Sequence, residues 1–479
     1  MQLNNSSDQY ILRLTLLTVG LLALLSMMPW AELTGNRVKS FNLLADLMPT
    51  ATEAVSASVQ SIVDPELEEL LNGASDAPGG AEGANPGPEI GVSAADSIAE
   101  EDGDSLKVYD VPPPAEIVPN SIENYSGAPV LARFKAALAE ADRRPVRVAV
   151  VGDSYIEGDI FCQNLRDCFR ETYGGAGVGY MAMHSDFPGF RNSVTQSGSG
   201  WSMHDIRNMG RSDSLRILPG AYGKAAGSAT ASYAGTSKYR GTDRWTHTTF
   251  AFIAPDSGTV SISTPAGAST SQTVYASGAV QTITLPAYTG SVKISSDVPG
   301  LVGLGVYLDG DAGVAVDCMS VRGNSGLNLR SIKYGLTSQL RSVADYDLII
   351  VEYGMNVLSG EQKDYTPYML QMVKSIEALR KQYPKADIII MGVGDRGVKV
   401  DGTVTSLGTA GAMTKAQREL ARRTGTHFYD TRLAMGGPGS IVDWRDRKLV
   451  NADYIHLNHA GGKELAKLFH KAIEKALDQ

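Results

Sequence analysis

The sequence predicts an α/β protein with a parallel sheet, an inserted all-β domain and an N-terminal transmembrane helix. Short apolar runs alternate with segments of helical periodicity in two stretches of the chain, 121–194 and 315–479. Such alternation requires crossover connections, and therefore a parallel sheet that helices cover on both faces. Between these stretches, residues 195–314 show short Thr-, Ser- and Val-rich runs separated by Gly, Pro and Asp. That pattern is typical of an antiparallel sandwich or barrel.

Composition restricts the classes of function. The 479 residues are 43% hydrophobic and 20% charged, which is typical of folded domains, and the length allows more than one core. The net charge of -9 argues against a nucleic-acid partner, because phosphate binding requires a basic surface. The 3 cysteines give neither a zinc spacing nor a disulfide framework, although they leave room for a single bridge.

The start of the chain is predicted to lie outside the folded core. Residues 14–30 are an apolar run just long enough to cross a bilayer, and the poor cleavage pattern around Ala31 favours an uncleaved anchor over a signal peptide. We therefore expect a membrane anchor and juxtamembrane segment over 1–50. Residues 51–120 are rich in Ala, Gly, Ser, Pro, Glu and Asp, which predicts a flexible acidic linker. The rest of the chain is then expected to be exported, on the periplasmic or cell-surface side.

The segment around Ser154 is the main candidate for chemistry. A buried strand is predicted over 146–151, and helical spacing follows over 156–171. Ser154 then lies at a strand-to-helix junction, where its hydroxyl can face a ligand and backbone N–H groups can meet a developing negative charge. The alternative is that Gly-Asp-Ser is simply a turn. The glycine-rich residues 174–180 predict a helix stop and a tight loop, because they follow a helix and lack the Lys of a phosphate-binding loop.

The α/β pattern returns after the inserted region. Strands are predicted over residues 314–321, 347–353, 386–393 and 426–429, with helices between them. In a parallel sheet, ligands bind at the carboxyl ends of the strands, and these ends carry glycine together with polar residues. We therefore expect Asp153, Gly354 and Arg396 to contact the substrate.

A second candidate for chemistry lies before the last helix. Asp453 precedes His456 by three residues, and Asn458 is a plausible cap for the helix that follows. An Asp at this spacing can accept from the imidazole Nδ1–H and leave the other nitrogen to take a proton from a serine. The alternative is that His456 is an ordinary surface residue. His459 has no Asp at that spacing and is the weaker candidate.

Four short motifs resemble the blocks of the SGNH (GDSL-like) hydrolases, in the same order. They are Gly152-Asp153-Ser154, Gly323, Gly354-Met355-Asn356 and Asp453-Tyr454-Ile455-His456. Within the superfamily the chain is most similar to bacterial peptidoglycan and polysaccharide O-acetylesterases, which share the opening motif and the β insert between the first two blocks. Tyr155 departs from the Leu of the GDSL name, and Val357 stands where an acidic residue often follows the Asn.

The resemblance implies a fold and a set of roles. The fold would be a three-layer, flavodoxin-like SGNH domain with a jelly-roll or carbohydrate-binding-like insert. Ser154 would be the nucleophile, His456 the base and Asp453 its orienting group. The backbone N–H groups of Ser154 and Gly323 and the side-chain amide of Asn356 would form the oxyanion hole. Neither a metal ion nor an organic cofactor would be needed.

Three functions are compatible with these expectations. The first is a membrane-anchored serine esterase that removes O-acetyl groups from a cell-wall or exported polysaccharide through an acetyl-enzyme intermediate. The second is an O-acetyltransferase that receives acetyl groups from a membrane acyl-donor protein and passes them to a glycan. The third is a non-catalytic glycan-binding protein. The expected partners are a glycan and, through the N-terminal helix, the bilayer.

Overall fold

The computed structural model describes residues 116–210 and 213–479. The strands, in chain order, are β1 (Ile122–Asn124), β2 (Pro145–Gly152), β3 (Gly175–Met181), β4 (Val194–Asp205), β5 (Ala221–Gly235), β6 (Trp245–Ile253), β7 (Gly258–Ser263), β8 (Ser269–Val274), β9 (Gln281–Thr289), β10 (Ser291–Ser296), β11 (Val302–Ser320), β12 (Leu348–Glu352), β13 (Asp387–Met391), β14 (Gly397–Val400), β15 (Thr403–Ser406) and β16 (His427–Tyr429). The helices are α1 (Ala132–Leu138), α2 (Cys162–Tyr173), α3 (Tyr334–Leu340), α4 (Thr366–Gln382), α5 (Ala410–Thr424), α6 (Thr431–Ala434), α7 (Ser440–Asp446) and α8 (His459–Leu477).

The centre of the α/β part is a parallel sheet in the spatial order β16-β13-β12-β2-β11. Only β1, at the β16 edge, is antiparallel among the strands on that side of β2. From β2 the chain goes first to β11 on one side and then to β12 on the other, which is the flavodoxin-like order. The order reverses between β2 and β12, and a ligand-binding crevice is expected at the carboxyl ends there. The prediction of an α/β fold with a largely parallel sheet is confirmed.

Helices cover the parallel strands. As a result, every residue of β12 and β13 is buried. Helices α1, α2 and α8 pack together through aromatic edge contacts. The ring centroids of Phe134 and Phe169 are 5.8 Å apart, and those of Phe161 and Phe469 are 5.6 Å apart. Helix α4 packs separately against α5.

The inserted region is antiparallel throughout and has its own core. Strands β4 to β10 and the first part of β11 surround a second cluster of buried side chains that includes Tyr233, Trp245, Phe250 and Phe252. We refer to residues 194–309 as the β module. Its hydrogen bonds continue into the parallel sheet through β11, so the two parts share one strand.

This shared strand corrects the prediction that a separate strand begins at residue 314. β11 pairs with β6 over 302–309 and with β2 over 313–320. The Gly and Asp residues at 309–313 are turn formers, and in sequence they suggest an interruption. Because β11 pairs first with β6 and then with β2, the chain stays extended through residues 309–313.

Two further local predictions are wrong. Residues 174–180 are not a tight loop: only Gly174 ends α2, and the rest lie in β3. Glycine is required there for close approach, because a Cβ at Gly177 would lie 1.9 Å from the carbonyl oxygen of Leu308. The helix predicted from residue 156 begins only at Cys162, because Gly158 and Asp159 have φ of 69° and 64°, outside the helical region.

The predicted anchor over 1–50 and nearly all of the linker over 51–120 lie outside the described residues. Among the helices that the structure describes, none has the length and apolarity needed to cross a bilayer.

Candidate active site

Ser154 lies just beyond the carboxyl end of β2, at the point where the strand order reverses. Gly152, the last residue of β2, has no room for a side chain, because a Cβ there would lie 2.6 Å from the carbonyl oxygen of Glu352. The backbone therefore passes close beside β12 before it leaves the sheet. Ser154 is half-buried, and its hydroxyl faces the loop before α8.

Ser154, His456 and Asp453 form a continuous chain of hydrogen bonds. Ser154 Oγ lies 2.9 Å from His456 Nε2, and His456 Nδ1 lies 2.7 Å from Asp453 Oδ2. When Nδ1–H donates to the carboxylate, Nε2 is left free to accept the serine proton. The structure thus brings the three predicted catalytic residues together.

The loop that carries Asp453 and His456 is held by its own hydrogen bonds. Asp453 Oδ1 accepts from the backbone N–H groups of Ile455 and His456, at 2.9 and 3.1 Å. Asn458 caps α8 by accepting from two N–H groups of its first turn. Burial alone would raise the pKa of Asp453, but the hydrogen bonds from the His456 ring and the Ile455 N–H together lower that pKa below its usual value. Asp453 is therefore an anion at neutral pH.

His459 faces a different part of the molecule. It is the first residue of α8, and its ring nitrogens lie 3.3 Å from Gln163 Nε2 and 3.2 Å from Asn192 Nδ2. Burial, with a smaller contribution from Lys238, lowers the pKa of His459. The ring therefore bridges α2 and the segment before β4, and its hydrogen bonds do not involve Ser154 or Asp453.

The backbone N–H groups of Ser154 and Gly323 are both without an internal acceptor. Neither donates a hydrogen bond to any acceptor within the described part of the chain. Gly323 follows β11, the neighbour of β2, and has a φ of 77° in the left-handed region that favours glycine. Two unpaired donors on adjacent strand ends are suited to a developing oxyanion.

Asn356 lies at the same site, but its amide is engaged. Asn356 Nδ2 donates to Asp153 Oδ2 at 2.8 Å and to the backbone oxygen of Asn324 at 3.2 Å. An amide nitrogen has two hydrogens, so both are used. Asn356 thereby links the nucleophile loop to the residue after Gly323, and it must release one bond before it can donate to an oxyanion.

Two buried carboxyl groups lie next to Ser154. Asp153 is fully buried, and burial raises its pKa to about 7, although hydrogen bonds from the Tyr155 N–H and the Asn356 amide oppose the shift. Glu352 is 1% exposed, and no side chain among the described residues donates a hydrogen bond to its carboxyl oxygens. Burial and the charge of Asp153 raise the pKa of Glu352 well above its usual value. The two adjacent carboxyl groups thus disfavour each other's ionisation, because two neighbouring buried anions would repel.

The three predicted substrate contacts have internal roles in this structure. Asp153 is inaccessible and holds Asn356. Gly354 is buried with φ of 116°, and a Cβ there would lie 2.9 Å from Gln417 Nε2. The Arg396 guanidinium donates to the backbone oxygens of Met355 and Leu358, at 3.3 and 3.2 Å. The structure places these residues at strand ends as predicted, and their contact with a substrate stays a prediction.

Sequence reasoning missed three features of the site. These are Asn324, which accepts from Asn356; the buried acid Glu352; and the ion pair of Arg322 with Glu157, with Nε 3.2 Å from Oε2. A signal for Glu352 was present, because it is the one acid within the apolar run of β12. No local pattern signals the ion pair, because its partners are far apart in the chain.

Among the described residues, one group of side chains has the composition of a metal site. Ligand atoms of Asp159, Cys162 and Cys318 lie within 4.8 Å of one another. The Asp159 carboxylate, however, already accepts hydrogen bonds from both Arg166 and Arg191. The group therefore fits a buried ion pair with two thiols beside it better than it fits a cation site. The cysteines are free, and burial raises the pKa of Cys162 well above its usual value.

Comparison with known families and structures agrees with this geometry. The model of the GDSL-like Lipase/Acylhydrolase family matches residues 302–463. The matched stretch contains Gly323, Asn356, Asp453 and His456, whereas Ser154 precedes it. A search of curated proteins gave no match.

One solved structure shares the fold over most of this chain. It is described as "Peptidoglycan O-acetylesterase in action, 5 min" and aligns with a TM-score of 0.62 at 20% identity, over 74% of this chain and 99% of that chain. A family two carbohydrate esterase from Cellvibrio japonicus aligns at 11% identity over 60% of this chain and 99% of that chain, with a TM-score of 0.26. The family match and the first structure confirm the predicted resemblance to the SGNH hydrolases in fold.

Proposed function

We propose that the protein is a serine esterase that removes O-acetyl groups from a cell-wall or exported polysaccharide. The observation that carries the proposal is the hydrogen-bonded chain from Ser154 Oγ through His456 to Asp453, beside two unpaired backbone N–H groups. A nucleophile, a base and oxyanion donors at one edge of the sheet define a site for acyl transfer. The GDSL-like family match supports the same reaction class.

The first half of the reaction forms an acetyl-enzyme. Ser154 Oγ attacks the ester carbonyl carbon while its proton passes to His456 Nε2. The carbonyl oxygen becomes an oxyanion, which the N–H groups of Ser154 and Gly323 stabilise. The carbon–oxygen bond to the sugar then breaks, and the His456 proton moves to the sugar oxygen. Asp453 stays ionised throughout and stabilises the imidazolium.

The second half of the reaction consumes water. Water gives a proton to His456 Nε2 and attacks the acetyl carbon, and the bond to Ser154 breaks as the serine regains its proton and acetate leaves. The His456 side chain is 37% exposed and that of Asp453 is 42% exposed, so water reaches the base directly. This exposure favours hydrolysis over transfer to a second alcohol, because a transferase must exclude water from the acyl-enzyme.

Support for an O-acetylated glycan comes from two sides. The solved structure that shares the fold over 99% of its own length is described as a peptidoglycan O-acetylesterase. The side chains of His456 and Asp453 are also partly exposed, as access by a polymer requires. We further propose that residues 14–30 anchor the chain in a membrane and that the linker lets the esterase reach an exported glycan. Fractionation of the chain with and without residues 1–50 tests this anchoring.

The esterase proposal is tested by Ser154→Ala. Wild-type protein is expected to release acetate from 4-nitrophenyl acetate and from O-acetylated peptidoglycan, whereas the variant should lose the activity and keep its fold. Far-UV circular dichroism and thermal unfolding provide the control for folding. Turnover by the variant close to that of the wild type would refute the serine mechanism.

A further inference from the structure

A cleft lies between the segments that follow Ser154 and β11 and the start of the β module. It begins at Glu157, three residues after Ser154, and at Arg322, next to Gly323. It ends at Met203 and Asp205 on β4 and at Arg207, two residues after this strand. The cleft is therefore lined by both parts of the protein and by residues close in the chain to Ser154 and Gly323, although Ser154, Asp453 and His456 do not themselves line it.

The charges in this cleft are paired with one another. Arg322 binds Glu157, with Nε 3.2 Å from Oε2, and Arg207 Nη2 lies 2.6 Å from Asp205 Oδ2. Arg191 is paired with Asp159, at 3.1 Å between Nη2 and Oδ2. Within the part of the chain that the structure describes, the three arginines that line the cleft are thus matched by carboxylates, which does not favour selection of an anion such as phosphate. The pairs still present fixed donors and acceptors at defined positions.

Two aromatic rings stand exposed among these polar groups. Phe187 is 44% exposed and Phe190 is 42% exposed, and their ring centroids are 5.7 Å apart with a tilt of 60°. The Arg322 guanidinium lies 4.7 Å from the Phe187 ring centroid. A long acyl chain would need a continuous apolar tunnel, whereas here a guanidinium lies over the Phe187 ring. A pyranose ring has an apolar C–H face and polar hydroxyl edges, and this mixed surface matches both.

We propose that this cleft is a glycan subsite that binds an uncharged sugar ring next to the one whose acetyl ester is cleaved. The sugar packs its C–H face on Phe187 and Phe190, and its hydroxyl groups bond to the Arg322–Glu157 pair. The substrate class in this inference rests on the proposed function. The inference assigns part of polymer recognition to residues 184–191, which carry Phe187 and Phe190, in addition to the β module.

Binding to an inactive protein tests the subsite separately from catalysis. The probe is a soluble β-1,4-linked N-acetylglucosamine oligosaccharide, titrated into full-length Ser154→Ala by calorimetry. Adding Phe187→Ala is expected to raise Kd about tenfold or more, because the exposed ring provides the apolar contact. Phe187→Leu, which keeps apolar volume without the ring, should weaken binding in the same direction if the alanine variant folds poorly. Tyr334→Ala is the matched control, since this residue is 51% exposed on α3 and is not among the residues that line the cleft.

The outcomes separate the two proposals. Failure of Ser154→Ala to bind the oligosaccharide, or equal Kd values for the Phe187 and Tyr334 variants, overturns the subsite. Binding that depends on Phe187 establishes it, whatever the turnover. Absence of acetate release by the wild type, in the presence of such binding, overturns the esterase proposal and leaves the subsite in place.

Discussion

Replacement of Asp453 by Asn tests how the triad is oriented. Asp453 Oδ1 accepts from two backbone N–H groups, those of Ile455 and His456. In Asp453→Asn the amide oxygen must take this position, because an NH2 group cannot accept hydrogen bonds. The amide nitrogen then occupies the Oδ2 position, which lies 2.7 Å from His456 Nδ1.

The consequence is a change of histidine tautomer. The new amide N–H donates to Nδ1, so the ring proton moves to Nε2. Nε2 lies 2.9 Å from Ser154 Oγ and can then no longer accept the serine proton. The loss of the correct tautomer in a serine triad lowers kcat by about four powers of ten. We expect a decrease of that order for Asp453→Asn, although the loop hydrogen bonds and the fold are retained.

Steady-state hydrolysis of 4-nitrophenyl acetate measures this effect, with thermal unfolding as the control for folding. KM should change little, because the substituted atom does not bind the ester. A variant that keeps more than a tenth of the wild-type kcat would show that Asp453 does not set the tautomer. The triad would then need another orienting group.

Three other perturbations probe the same site. His456→Ala should lower kcat by several powers of ten, whereas His459→Ala should cost about tenfold or less, and the reverse order would refute the assignment of the base. Asn356→Ala should lower kcat by about two to three powers of ten if its amide reaches the oxyanion, measured with the same ester. Because burial raises the pKa of Glu352, its stabilising contribution is present below about pH 4.3 and is lost as pH rises toward the folded-state pKa. The difference in unfolding free energy should therefore shift in favour of Glu352→Gln as the pH rises above about 4.3, and a constant difference in urea unfolding would contradict this.

The sequence predicted those features that depend on local position. Ser154 follows a strand of apolar residues, and His456 precedes a helix with a recognisable cap, so both could be placed at the ends of elements. In a sheet of flavodoxin-like order such ends meet at one edge, which is why the triad residues lie together. The α/β class followed from the alternation of short apolar runs with segments of helical periodicity.

Features that depend on distant partners were not predictable. The glycines of β3 suggested a loop because glycine favours turns, yet at Gly177 the close approach of Leu308 is what requires the residue. The hydrogen bonds of Asn356 could not be foreseen either, since its acceptors are carried by two other strand ends. A motif identifies which residue types meet, but not which of their hydrogen bonds are already used.

The three oxyanion donors are therefore not equivalent. The Ser154 and Gly323 N–H groups are unpaired within the described chain and need no rearrangement to meet an oxyanion. Asn356 holds a 2.8 Å bond to Asp153 and a longer 3.2 Å bond to the Asn324 carbonyl oxygen. The bond to Asn324 is the weaker by length and has a neutral acceptor, so it is the one that an oxyanion would replace. Asp153 then keeps its hydrogen bond to the Asn356 amide. Because Asp153 is buried and directly precedes Ser154, this bond fixes Asn356 relative to the serine.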